Sequence, residues 1–240
     1  TMSTRLSVNV NKIALIRNAR GSNFPDLSKI CKDIESYGAE GITVHPRPDE
    51  RHITYADIPV LKSLCQTEFN IEGNPHERKF MDLVLDNCPH QCTLVPDAAN
   101  ALTSDSGWDT IKHAAFLTDT IAELQSKNIR VSIFCDPNFK MIEGAKKVGA
   151  DRIEFYTGPY ADNYHNNRAK AVKPYAEAAI IAQQNDLGIN AGHDLNLDNL
   201  RYFAQEVPHL MEVSIGHALV VDALYYGLQN TVQMYLHQLR

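Results

Sequence analysis

The chain has 240 residues, 44% of them hydrophobic, enough to bury a sizeable core as one large domain or two small ones. Its formal net charge is -6 and no Lys/Arg block stands out, which argues against nucleic acid as a partner, because backbone binding needs a concentrated basic face. No apolar run approaches the roughly 20 residues of a membrane-spanning helix, and no signal-peptide pattern precedes Arg5, so the expectation is a cytoplasmic protein with no membrane partner.

Short β-like runs alternate with amphipathic segments from end to end. Candidate strands are Leu6–Val10, Gly41–Val44, Phe69–Glu72, Gln91–Val95, Arg130–Phe134, Arg152–Tyr156, Gly188–Ala191 and Glu212–Ile215. The segment after Val10 is long enough to hold a short extra helix. Between the first two strands Leu27, Ile30, Cys31, Ile34 and Tyr37 recur at helical spacing, which predicts a one-faced helix over Asp26–Tyr37. Pro96–Trp108 is long and polar, and its small residues suit a lid. Asp136-Pro137 reads as a capping residue followed by proline at the first helical position. Toward the C-terminus Val220, Leu224, Leu228 and Val232 form a helical stripe.

One internal echo suggests a repeated unit. Gly38-Ala39-Glu40-Gly41 and Gly149-Ala150-Asp151-Arg152 each place a helix-closing glycine and an acid just before a strand. Eight strands alternating with helices match the (β/α)8 barrel, whose typical length is about 250 residues. The rival is an open doubly wound sheet, but Asn9-Val10-Asn11-Lys12 follows the first strand where that fold would carry a glycine-rich turn. No linker or shift in composition marks a second domain. The expected fold is therefore one α/β barrel of the TIM type, residues 1–240, with extra helices. The cysteines Cys31, Cys65, Cys88, Cys92 and Cys135 are scattered and odd in number. They read as small core residues in a reducing compartment.

In such a barrel the site opens at the C-terminal ends of the strands. Those ends carry Asn9 and Asn11, then His45, Glu72, Pro96, Asp136, Thr157, His193 and Gly216-His217. The loop after His45 adds Arg47, Arg51 and His52, a titratable base beside several anion-binding donors. Glu72, aimed into the barrel mouth and partly desolvated, would have its pKa raised toward the range of a general base. His193 follows a short strand and a glycine, as a general acid can. Ser214-Ile215-Gly216-His217 leads into a final helix, where glycine and free N–H groups suit a phosphate. A metal held by His45, Glu72 and His193 is conceivable from residue type. The neighbouring Arg47, Arg51 and His52 favour a phosphate instead, so no metal and no other cofactor is expected.

Several of these motifs occur together and in order: Arg17-Asn18-Ala19-Arg20-Gly21, Gly41-Ile42-Thr43-Val44-His45, Arg51-His52-Ile53-Thr54, Thr157-Gly158-Pro159-Tyr160-Ala161-Asp162, Asn190-Ala191-Gly192-His193 and Ile215-Gly216-His217-Ala218. Over nearly the full chain they resemble the pyridoxine 5'-phosphate synthase family. The resemblance implies condensation of 1-deoxy-D-xylulose 5-phosphate with 3-amino-2-oxopropyl phosphate to give pyridoxine 5'-phosphate, phosphate and water, by a transferase of vitamin B6 biosynthesis. It also implies a homo-octamer. Carried over by position, His45 and Glu72 look like proton acceptors and His193 like a proton donor. Asn9, Arg20, Arg47, His52 and Thr103, with Asn11-Lys12, would contact the deoxyxylulose phosphate. Asp194 and Gly216-His217 would line the site of the amine.

The chain departs from the family pattern in places. Asn11 and Lys12 stand where the family has Asp and His, and Asp194 stands where glycine is frequent. Thr103 is offset by one residue. Two other readings use the same strand ends: a metal-dependent sugar-phosphate epimerase or aldolase, and a barrel that only binds phosphorylated ligands.

Overall fold

The computed structural model describes residues 3–98 and 100–240. Eight strands, β1 (Arg5–Asn9), β2 (Gly41–Val44), β3 (Glu68–Gly73), β4 (Gln91–Leu94), β5 (Arg130–Cys135), β6 (Arg152–Phe155), β7 (Gly188–Ala191) and β8 (Leu210–Ile215), pair in parallel in chain order. The barrel closes where β8 pairs with β1: Val8 lies opposite Ile42 on one side and Ile215 on the other. Helices α1 (Asn11–Asn18), α2 (Leu27–Ser36), α3 (Asp57–Leu64), α4 (Arg78–Asn87), α5 (Ala114–Gln125), α6 (Phe139–Lys147), α7 (Gly158–Gln184), α8 (Leu200–Glu206), α9 (His217–Tyr226) and α10 (Leu228–Gln238) follow the strands. This is the expected (β/α)8 barrel, with α1 as the extra helix after β1.

Strands buried on both faces are usually apolar throughout. Here they alternate. Leu6 and Val8, Ile42 and Val44, Phe69 and Ile71, Cys92 and Leu94, Ile153 and Phe155, and Val213 and Ile215 face outward into the hydrophobic layer beneath the helices. The residues between them face inward, and several bond to one another. Ser7 Oγ meets Thr43 Oγ1 at 2.7 Å, Thr93 Oγ1 donates to Asn70 (3.0 Å), and Gln91 Nε2 donates to Glu212 across the interior (3.2 Å). At the N-terminal end Glu68 pairs with both Arg5 (3.3 Å) and Arg130 (2.5 Å). A polar interior leaves the apolar layer outside the strands to drive closure.

The helix expected over Asp26–Tyr37 is α2, and Asp26 caps it, its carboxylate accepting from the amides of Ser28 and Lys29. The echo at Gly38 and Gly149 holds: both glycines have positive φ, +109° and +91°, which side chains rarely adopt. Three expectations need correction. The cap of α6 is Asn138, whose Oδ1 accepts from Met141, while Asp136 bonds the Gly107 amide instead (3.2 Å). The C-terminal stripe is split at Gly227 (φ +77°), so Val220 and Val232 are buried on separate helices and Leu224 is 75% exposed. Cys88 is exposed at the left-handed end of α4, and so is no core residue. Among the described residues no helix is long and apolar enough to cross a membrane.

Candidate active site

The loops after β1 and β2 brace one another. Asn9 Oδ1 accepts from the Asn11 amide (3.0 Å) as the chain turns into α1, and Asn11 Oδ1 accepts from the His45 amide (2.9 Å). His45 is buried at the end of β2. Burial, with the charges of Arg47, His52 and Arg51, holds its imidazole well below the ordinary range. At pH 7 it is neutral and free to accept a proton.

Residues of the Arg17-Asn18 motif hold the loop that carries His52. Arg17 grips Asp57 through two bonds of 2.7 and 2.8 Å, and Asn18 Nδ2 donates to the His52 carbonyl (2.7 Å). The Ile53 amide donates to His52 Nδ1 (2.9 Å). Burial, Arg47 and Lys12 push the His52 imidazole down to about 4. A neutral ring that accepts at Nδ1 carries its proton on Nε2, so His52 offers an uncharged N–H beside the Arg47 guanidinium. The two rings, His45 and His52, stand edge-on with centroids 6.4 Å apart.

Glu72 lies at the mouth end of β3. Burial and the nearby Asp97 raise its carboxyl to about 7, against the opposing pull of His193 and Arg47. Asp97, just beyond β4, reaches Arg47 at 3.6 Å and accepts from Ser104 Oγ (2.6 Å). Glu154 on β6 points inward, 4% exposed, with no hydrogen-bond or ion-pair partner among the described residues. Burial, then Glu72 and Glu212, push its carboxyl well above the ordinary value, which favours the neutral acid.

Across the mouth, β7 ends at Gly192-His193. A Cβ on Gly192 would sit 2.0 Å from the Ser214 carbonyl oxygen, so only glycine lets β7 and β8 approach there. His193 Nε2 meets Thr103 Oγ1 at 2.8 Å and Nδ1 meets Asp194 Oδ2 at 2.8 Å. The Thr157 hydroxyl donates to the His193 carbonyl, and the Tyr156 ring packs edge-on at 5.2 Å. Gly216 caps α9, and a Cβ there would meet Asn9 Cβ at 2.9 Å. His217 opens α9 on the surface, near enough for its charge to depress the Asp194 carboxyl, after the larger effect of His193.

His45, Glu72 and His193 thus stand on three strand ends around one mouth, with Asn9, Asn11, Arg47, His52, Thr103, Asp194, Gly216 and His217 about them. Lys12 opens α1 within charge range of His52. Arg20 lies apart, on the exposed turn after α1, with no side-chain partner among the described residues. Among those residues no three His, Cys, Asp or Glu side chains gather as a metal-holding group. Sequence reasoning missed Glu154 and Asp97. The alternation Arg152-Ile153-Glu154-Phe155 was the available signal for Glu154, since it puts an acid on the inner face of a closed strand. Arg51, unassigned from sequence, pairs with Asp49 (2.8 Å) and donates to the Ala101 carbonyl (3.2 Å), tying the β2 loop to the segment after β4.

The family model described as pyridoxal phosphate biosynthesis protein PdxJ matches residues 6–240. The chain belongs to this family. A protein of Cytophaga hutchinsonii named pyridoxine 5'-phosphate synthase is 61% identical over 237 residues, covering 99% of each chain. One of the same name from Christiangramia forsetii is 60% identical, over 99% of this chain and 100% of its own. Among solved structures, a putative fructose-1,6-biphosphate aldolase from Coccidioides immitis aligns with TM-score 0.64 at 9% identity, over 99% and 89% of the two chains. A phosphoribosylanthranilate isomerase from Thermotoga maritima aligns at 0.59 with 11% identity, over 98% and 97%. These two likenesses speak for the barrel alone.

Proposed function

We propose that this PdxJ-family chain is a pyridoxine 5'-phosphate synthase that condenses 1-deoxy-D-xylulose 5-phosphate with 3-amino-2-oxopropyl phosphate, releasing phosphate and water. The family match over residues 6–240 carries this reading, and the mouth of the barrel agrees with its chemistry. Joining an amine to a ketone, losing water and phosphate and closing a ring needs several proton transfers, which one base cannot serve. His45, neutral by burial, and Glu72, balanced near neutrality, act as proton acceptors. His193, on the opposite side, acts as donor. Glu154, whose buried setting favours its neutral form, can hold a developing negative charge by hydrogen bonding.

Arg47 and the His52 N–H, with Asn9, Asn11-Lys12 and Thr103, take the deoxyxylulose phosphate. Gly216-His217 at the start of α9 and the backbone at Asp194 take the amine's phosphate, aided by the free N–H groups of the helix. Two anchors on opposite sides hold the reactants in register, which supplies proximity. The enzyme works in the cytoplasm as a homo-oligomer, an octamer by resemblance to the family, and needs no cofactor. Purified protein mixed with both phosphorylated substrates should form pyridoxine 5'-phosphate and free phosphate. No product above the uncatalysed background would overturn the assignment, and loss of activity with a chelator would favour the metal-dependent alternative.

A further inference from the structure

Asp194 holds a backbone conformation that its residue type disfavours. Its φ is +62°, in the left-handed region where a side chain costs energy and glycine does not. Such a residue persists when something over-determines it. Here the side chain meets His193 Nδ1 at 2.8 Å. The bond, then burial and the charge on His193, set the Asp194 carboxyl: the first and last lower it, and the net shift is downward. The group is therefore an ionised acceptor at neutral pH.

We propose that Asp194 is a positioning residue for the proton donor His193, fixing the ring with its Nδ1–H on the carboxylate and Nε2 aimed into the barrel mouth. This rests on the proposed synthase reading and deepens it. A carboxylate only accepts, so the ring proton it binds must sit on Nδ1. Nε2 is then the exchangeable position, and it faces Thr103 Oγ1 at 2.8 Å. When Nε2 is bare it accepts from the Thr103 hydroxyl; when the ring is charged it donates. The rest of the mount is rigid: the Thr157 hydroxyl holds the His193 carbonyl, Tyr156 flanks the ring, and Asn199 Nδ2 donates to the Asp194 carbonyl (3.2 Å). Asn199 is in turn fixed at its own carbonyl by Tyr160 Oη (2.6 Å).

The test compares wild type with Asp194→Gly and Asp194→Asn, using 15N spectra of the His193 ring in the free protein and steady-state kinetics. The wild-type ring should show its proton on Nδ1. Asp194→Gly relieves the backbone yet should release the ring to a tautomer mixture, with kcat roughly tenfold lower and KM for either phosphate little changed. Asp194→Asn keeps an acceptor oxygen and should retain the Nδ1–H form and recover part of kcat. An unaltered ring spectrum in Asp194→Gly would overturn the proposal. So would a defect confined to KM for the amine substrate, which would mark Asp194 as a ligand contact. If wild type makes no product, the synthase reading fails, while the ring spectra still decide the positioning role.

Discussion

Glu72 is the residue whose ionisation should be visible in both activity and stability. Its carboxyl is raised from 4.5 to about 7 chiefly by burial, so as a proton acceptor it works in its deprotonated form. The acidic limb of kcat/KM should therefore rise through about pH 7, and Glu72→Gln should remove that limb along with most of the activity. Stability runs the other way. Below about 4.5 the group is protonated in folded and unfolded chains alike, and its contribution is complete; that contribution is lost as pH rises through about 7, where the folded protein must bury a charge. Glu72→Gln should raise Tm at pH 8 and leave it nearly unchanged at pH 4. An equal Tm change at both pH values would mean that burial is not what sets this carboxyl. His45→Ala should cost about 10²- to 10⁴-fold in kcat with the fold intact, since the side chain forms no hydrogen bond among the described residues. Near-normal product formation by this variant would remove His45 from the mechanism. Residues at strand ends were legible because polarity there interrupts an apolar run. Glu154 was not, because its importance depends on which face of β6 closes inward.

Elements carry their own tests. The proline after Asp136 drew the expected helix start forward, but α6 begins two residues later because Asn138 reaches the Met141 amide and Asp136 is occupied by Gly107. Asn138→Ala should cost about 1 kcal/mol, a Tm lower by roughly 2–4 °C, with Asp136→Ala costing less. A thermal melt with the order reversed would return the cap to Asp136. Among the described residues the segment after β4 is tied to its surroundings through polar contacts that include Thr103 to His193, the Ala101 carbonyl to Arg51, the Gly107 amide to Asp136 and Asp97 to Arg47, while Ser104 bonds Asp97 within it. Leu102, at 90% exposure, contributes little packing. Polar tethers without apolar burial are what a lid requires, since they open at small cost. Arg51→Ala should speed proteolysis within 96–107, and bound phosphorylated substrate should slow it in wild type. Cleavage at equal rates in all of these states would argue against a lid.

For the whole molecule, barrel closure followed from repeating one short rule eight times, and that rule was readable: a glycine or turn, a strand of four to six residues, a polar end. The polar interior was harder to see, because cross-barrel partners such as Gln91 and Glu212 are far apart in sequence and only closure brings them together. The surface left by the final helices bears on assembly. α1 packs beside α9, and together they expose Leu15, Ile16, Val221, Leu224, Tyr225 and Tyr226, with Tyr225 at 82%. Apolar side chains grouped this way on adjacent helices mark a contact surface more often than a solvated face. The split of the C-terminal stripe at Gly227 explains why it exists: α10 turns back to bury Val232 and Tyr235 and leaves the outer side of α9 uncovered. If copies of the chain join through this surface, replacing Leu224 and Tyr225 together by lysine should lower the mass seen by light scattering. The proposed catalytic mouth is built from β-strand ends of a single barrel, so the separated chains should keep measurable synthase activity. An unchanged mass for the double variant would show that this surface does not join the copies.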